Sequence, residues 1–416
     1  MFLTQKRRAE PDSGSSSKGL RSGSGGLDSG RGDLRERAER AAQVAAAHAA
    51  SVDSAGRFPQ ECVAALKAER LLGILVPQSL GGEGASLGEV ADVCFLLGQS
   101  CSSSGMIYAM HQVKAGCITR HSGDRPRLAR ILRALCAEQL LLASSTTEGR
   151  RGGDIRSSEA PIEYHEGGRI TLERRASVIS YGAYADGVVT TARRAAEAPA
   201  SDQVLVALLK GDYTLARQQE WDALGMRGTC SEGYALSAQA HAGQILADPY
   251  EVIHARTMVP FAHLLWGSVW AGIAAGATQR AQAFIRNAMR HGNGQPPPGA
   301  PQFTRALATL RTLRGLLASS LHRYTECMDD PQALEALEFQ TLITLTKVEA
   351  SELAVATVMS AMRACGLAGY RNDGDYSMGR LLRDVLSSPI MINNERILSS
   401  LAASALLSPI SQFLSD

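Results

Sequence analysis

The spacing of apolar residues changes twice along this chain, and the two changes restrict the fold more than any motif does. Up to Leu140 apolar side chains recur at helical spacing, as in Phe58, Cys62 and Leu66, then Leu87, Val90, Cys94 and Leu97. From Leu141 to about Pro249 short β-type runs take over, Ile170–Leu172, Val188–Thr191 and Val204–Leu209, with Gly, Asp and Ser clusters between them. Beyond Pro249 helical spacing returns. A chain of 416 residues exceeds the size at which one core keeps growing. The blocks are therefore expected as packed units: a helical domain over 33–140, a compact β domain over 141–249 and a helical bundle over 250–416.

In the first block Asp33–Ser51 reads as a helix and a second helix ends before Gly73. Gly73–Gly82, G-I-L-V-P-Q-S-L-G-G, reads as an extended apolar piece closed by a proline and a double glycine. Met106, Met110 and Lys114 fall on a later helix, where Met106, Tyr108 and His111 serve either a pocket or plain core. In the last block Met258–Arg290 is long and apolar, and Pro296, Pro297 and Pro298 break it. Phe303–Tyr324, Leu334–Ala364, and Met378–Leu386 with Met391–Leu407 supply further helices. Long helices with short connections make an antiparallel bundle.

A formal net charge of +2 gives no reason to expect a nucleic-acid partner. The eight cysteines are scattered without C-x-x-C or metal-type spacing, and no signal-peptide pattern is read, so buried thiols in a reducing, cytoplasmic setting are expected. Met258–Ala277 comes nearest to a membrane span but holds His263 and several glycines, so no membrane segment is expected. Met1–Gly32, rich in Ser, Gly and Arg, reads as a disordered extension.

The stretch from Cys365 to Ile397 stands out. Gly366 and Gly369 follow a long apolar helix, where glycine permits a positive φ and close backbone approach, and Arg380, Arg383 and Asp384 share a helical face. Taken alone, these residues serve equally for a helix stop followed by a solvated face.

Their company upstream is what matters. Thr146–Asp154 (T-T-E-G-R-R-G-G-D), Val178–Val189 (V-I-S-Y-G-A-Y-A-D-G-V-V) and Trp221–Ser231 (W-D-A-L-G-M-R-G-T-C-S) join Gly73–Gly82 and the C-terminal stretch as five landmarks in order. In this order they resemble the acyl-CoA dehydrogenase superfamily of flavoproteins from Asp33 to the end of the chain. The resemblance implies an N-terminal helical domain, a central β-barrel and a C-terminal four-helix bundle. It also implies FAD between barrel and bundle, and a homo-dimer or homo-tetramer whose neighbouring subunit completes the cofactor site. By the same resemblance Thr146, Thr147 and Ser180 face the flavin, Gly366, Gly369 and Asn394 lie at the cofactor turn, and Arg383 and Asp384 are structural partners near it.

The chain also departs from that family. Dehydrogenation needs a carboxylate that takes the proton α to a thioester carbonyl, and the family's usual place for it holds Ile392. The place used by a minority of members holds Ala262. Gly149 and Gly153 replace a Pro and a Ser of the loop, Ala176 replaces a frequent Lys, and Ala288 stands where a pyrophosphate-binding Arg is common, with Arg286 and Arg290 close by. Glu395 and His263 are the candidate substitutes for the missing base; as bland alternatives Glu395 is a surface carboxylate or helix cap and His263 a satisfied core residue.

Three functions follow. The first is dehydrogenation of an acyl thioester, on CoA or an acyl-carrier protein, with an electron-transfer flavoprotein as acceptor. The second is a flavin monooxygenase or N-hydroxylase fed by a flavin reductase. The third is a catalytically silent homologue kept for its fold.

Overall fold

The computed structural model describes residues 28–148 and 157–407. Helix α1 spans Asp28–Ala55, so it begins inside the stretch read as an extension; residues 1–27 lie outside the described ones. α2 (Gln60–Ala68), α3 (Leu87–Ser100), α4 (Ser102–His121) and α5 (Pro126–Glu138) complete the first block. Gly73–Gly82 is a correction: it forms tight turns and a single 3₁₀ turn over Gln78–Leu80, with Val76 N–H bonded to Gly73 O. The start of α3 is written locally, since the Ser86 side chain accepts from Glu89 N–H while Glu89 reaches back to the Ser86 backbone.

The β block holds β1 (Leu142–Ser145), β2 (Ile162–Tyr164), β3 (Arg169–Ser180), β4 (Gly187–Arg193), β5 (Gln203–Leu209), β6 (Tyr213–Gln219) and β7 (Ser231–His241). Here the barrel expectation is corrected: the strands form a three-stranded sheet ordered β1-β4-β5 and a four-stranded sheet ordered β2-β3-β7-β6. Closure needs a continuous staggered ladder around the ring. Between these two sheets the described residues supply only single bridged pairs, Glu148 with Ala176 and Pro161 with Arg193, because β1 and β2 are four and three residues long.

The chain then returns to helix through α6 (Tyr250–Ile253), a π-helical turn over His254–Met258, and α7 (Val259–His291). Together these form one continuous 42-residue helix, long and apolar enough to cross a membrane by composition, yet 94% of its most apolar window is buried inside the protein. It is the core helix. α3 and α7 cross so closely that a Cβ at Gly98 would strike the Val269 carbonyl and one at Gly272 the Phe95 carbonyl. α8 (Ala300–Cys327), α9 (Pro331–Glu335), α10 (Leu337–Cys365), α11 (Leu367–Tyr370), α12 (Gly379–Val385) and α13 (Asn394–Ala405) follow. α7, α8 and α10 pack on one another as three long members, and the fourth place of the expected bundle goes to the short pieces α12 and α13. All eight cysteines are free and buried.

Candidate active site

β1 delivers Thr146 and Thr147 at its end, both half-buried, and Glu148 then bridges Ala176 on β3. β3 carries a bulge between Ala176 and Ile179. A bulge adds an unpaired residue and re-aims its neighbours, and here Ser177 Oγ donates to Thr147 Oγ1 at 3.4 Å while Val178 is turned outward. Thr147 and Ser177 thus meet beside the bulge, and Ser180 follows on the same strand. The rest of the Thr146–Asp154 landmark, with Gly149 and Gly153, lies outside the described residues.

Ser180 belongs to a relay of hydroxyls. Thr229 Oγ1 donates to Met226 O at 2.8 Å, so it must accept from Ser231 Oγ, also at 2.8 Å. Ser231 has then spent its proton and accepts from Ser180 Oγ at 2.8 Å. Ser180 is left with lone pairs only to offer a ring beside it. No motif announces this, because the relay depends on β3 and β7 lying side by side, with Ser180 paired to Ser231.

The Met226 turn is held from the bundle side. Met226, at φ +52°, donates its N–H to Asp384 Oδ1 at 2.7 Å. Burial raises the Asp384 pKa, and the bond from Met226 opposes that shift. Arg383 pairs with Asp53 on α1, and Arg227 Nε donates to Asp53 O at 2.8 Å. Arg383 and Asp384 therefore tie the bundle, the β domain and the N-terminal helices at one point.

Position 392 is fixed through its backbone. Ile392 has φ +48°, uncommon for a β-branched residue, and its carbonyl accepts from Lys347 Nζ at 2.7 Å. Lys347, fully buried on α10, also donates to Asn394 Oδ1 at 2.6 Å, and burial pushes its pKa down to about 8 against the opposing Glu352 charge. Lys347 was not legible beforehand, since in the sequence it looks like any charged residue on a helix. Asn394, expected at the cofactor, is redirected: its Nδ2 donates to Ser351 Oγ and Glu352 Oε1, so its amide is spent on α10.

Of the two candidate bases, Glu395 sits exposed in the first turn of α13. His263 is buried, donates from Nδ1 to Ile343 O at 3.1 Å, and is pushed down to about 3 by burial, so its ring is neutral and Nε2 is its accepting nitrogen. Ala262 is buried on α7 beside it.

Gly366 ends α10 at φ +55° with nothing within 4 Å of where a Cβ would stand. Gly369 is instead required by packing, since a Cβ there would meet Cys365 and Met362 O. Arg286 and Arg290 lie exposed on the last turns of α7. The residues present fit a flavin: acceptor lone pairs on Ser180, half-buried threonines at the end of β1, and an unobstructed backbone at Gly366.

This arrangement, two helical blocks around a split β domain with a hydroxyl relay from β3 to β7, is that of a flavin-binding oxidoreductase fold. The N-terminal acyl-CoA dehydrogenase domain model matches residues 32–139 and the C-terminal one residues 255–406. A probable acyl-CoA dehydrogenase, FadE25 of Mycobacterium tuberculosis, is 24% identical over 372 residues, covering 87% of this chain and 91% of its own. FMN-bound TdsC from Paenibacillus sp. A11-2, a dibenzothiophene monooxygenase, superposes with a TM-score of 0.80 at 17% identity, covering 91% of this chain and 98% of its own. Butyryl-CoA dehydrogenase from Megasphaera elsdenii superposes with a TM-score of 0.75 at 17% identity and the same coverage. The chain belongs to the acyl-CoA dehydrogenase family.

Proposed function

We propose that this chain is an FAD-dependent oxidoreductase that dehydrogenates the α,β bond of an acyl thioester, carried on CoA or a carrier protein. In this reading it works as a homo-oligomer in the cytoplasm and passes electrons to an electron-transfer flavoprotein. The observation that carries the reading is the Ser180 hydroxyl relay, in a chain whose two helical blocks both match acyl-CoA dehydrogenase domains. Bound FAD supplies the hydride acceptor. Thr147 and Ser180 orient its ring, Ser180 as acceptor. Gly366 would admit the pyrophosphate to the backbone, and Arg286 or Arg290 of a neighbouring subunit would meet its charge.

With Ile392 and Ala262 apolar and Glu395 exposed, His263 Nε2 is the group left to take the α proton. It is unprotonated at neutral pH but a weak base, and Brønsted behaviour makes weak bases slow ones. Turnover is therefore expected below that of relatives with a carboxylate. His263→Ala should remove a further factor of about 10²–10⁴ in flavin reduction while thioester binding persists.

Ile392 favours a second reading, a flavin monooxygenase or N-hydroxylase, which needs no base on a substrate carbon and takes reduced flavin from a separate reductase. One experiment separates the two. Yellow holoprotein is mixed with a short acyl-CoA without oxygen: loss of the flavin's visible absorbance supports dehydrogenation. Unchanged absorbance, with product formed only when reduced flavin and oxygen are both present, supports the second reading. Failure to hold any flavin sinks both.

A further inference from the structure

Lys114 is a buried cation that the chemistry above does not use. It lies on α4, 3% exposed, and the only hydrogen-bond acceptor its ammonium meets among the described residues is Met258 Sδ at 3.6 Å. The same sulfur takes the Tyr250 hydroxyl, also at 3.6 Å. A thioether is a weak acceptor and no carboxylate ion-pairs with Lys114 among the described residues. Buried ammonium groups are normally paired, so this one lacks its counter-charge. Lys347 makes the contrast: equally buried, it has a carbonyl and an amide oxygen within 2.7 Å.

The position of Lys114 points to what is missing. Met258 closes the π-helical turn, a feature often found at functional sites. It stands four residues before Ala262 and five before His263, about 6 and 7.5 Å along the helix axis at about 1.5 Å per residue. One turn back on α4, His111 Nδ1 accepts from Leu142 N–H at the start of β1, the strand that ends at Thr146 and Thr147. Lys114 therefore lies between the start of the α7 helix, which carries Ala262 and His263, and the strand that leads to Thr146 and Thr147.

We propose that Lys114 supplies the charge partner for an anionic group at the far end of the acyl chain, so that the preferred substrates are short acyl thioesters ending in a carboxylate. This rests on the acyl-thioester reading and narrows it. Burial lowers the Lys114 pKa, and a carboxylate beside it would favour the charged form.

The test uses flavin-loaded protein titrated with glutaryl-CoA and with pentanoyl-CoA, two five-carbon thioesters differing in the terminal carboxylate, with binding read from the flavin difference spectrum. Glutaryl-CoA is expected to bind at least ten-fold more tightly. Lys114→Met, which keeps the volume and removes the charge, is expected to reverse that order, and a thermal melt checks that the variant folds. Equal or tighter binding of pentanoyl-CoA by the unaltered protein overturns the inference without touching the acyl-thioester reading; so does a preference that survives Lys114→Met. If neither thioester perturbs the flavin, the reading itself fails and takes the inference with it.

Discussion

At the scale of single residues the site divides into what a local pattern announces and what only a folded chain assembles. Ser180 and Thr147 can be named as candidates from the sequence because each sits in a run of residues that carries its own context. The proton order Ser180 to Ser231 to Thr229 was not, since it joins residues up to 51 positions apart. Ser180→Ala removes one neutral hydrogen bond to Ser231, and flavin affinity measured by fluorescence titration is expected to fall roughly two- to ten-fold, about 0.5–1.5 kcal/mol. Lys347→Met leaves Ile392 O and Asn394 Oδ1 without their shared donor; a loss of about 1–3 kcal/mol in denaturant unfolding is expected. The pH dependence has a defined sign. Lys347 is held at about 8 in the folded chain against an ordinary 10.5, so between those values the unfolded chain binds more protons and stability rises with pH. Relative to Lys347→Met, the unaltered protein should therefore gain stability from pH 8 toward 10.5 in paired melts.

At the scale of elements the helices were the legible part and their junctions were not. Apolar spacing predicts α3, α4, α7, α8 and α10 because each buries one face, but spacing says nothing of how closely two helices approach. The α3–α7 crossing brings backbone onto backbone at Gly98 and Gly272. Gly98→Ala is expected to cost about 1–3 kcal/mol by overpacking, read as a lower denaturant midpoint. The bulge in β3 was likewise invisible, because nothing in R-A-S-V-I-S marks which residue drops out of the ladder. The barrel expectation failed at this scale: the β region was recognised and three of its runs named, while closure depends on strand length and stagger that short runs do not disclose.

At the scale of the molecule the order of helical, β and helical blocks was readable, since each block changes the period of its apolar residues. Charge at the core was less so. Three imidazoles, His111, His121 and His263, are buried and held below the ordinary 6.5, His111 to about 4 and His263 to about 3. Burial is the main cause in each, opposed at His121 by Asp248, whose Oδ2 lies 2.6 Å from Nδ1. A group with a depressed imidazole pKa contributes its full stability above 6.5 and loses it as the pH falls toward the folded value. Melting temperature is accordingly expected to hold from pH 8 to 6.5 and to drop steeply toward pH 4, more steeply than in a His111→Gln variant that still folds. Exposed Leu367, Tyr370 and Ile390 surround the end of α10 and α12, the face where the proposed neighbouring subunit would seat.

Lys347 holds residue 392 by its carbonyl and leaves the side chain outside that grip. The path of this segment is thus independent of what hangs from it, and the position behaves as a socket into which a different group can be plugged. Ile392→Glu should leave the backbone where it is and install an acid at the spot the family ordinarily uses. Faster anaerobic bleaching by an acyl-CoA in that variant would mean that a positioned carboxylate is one side chain away.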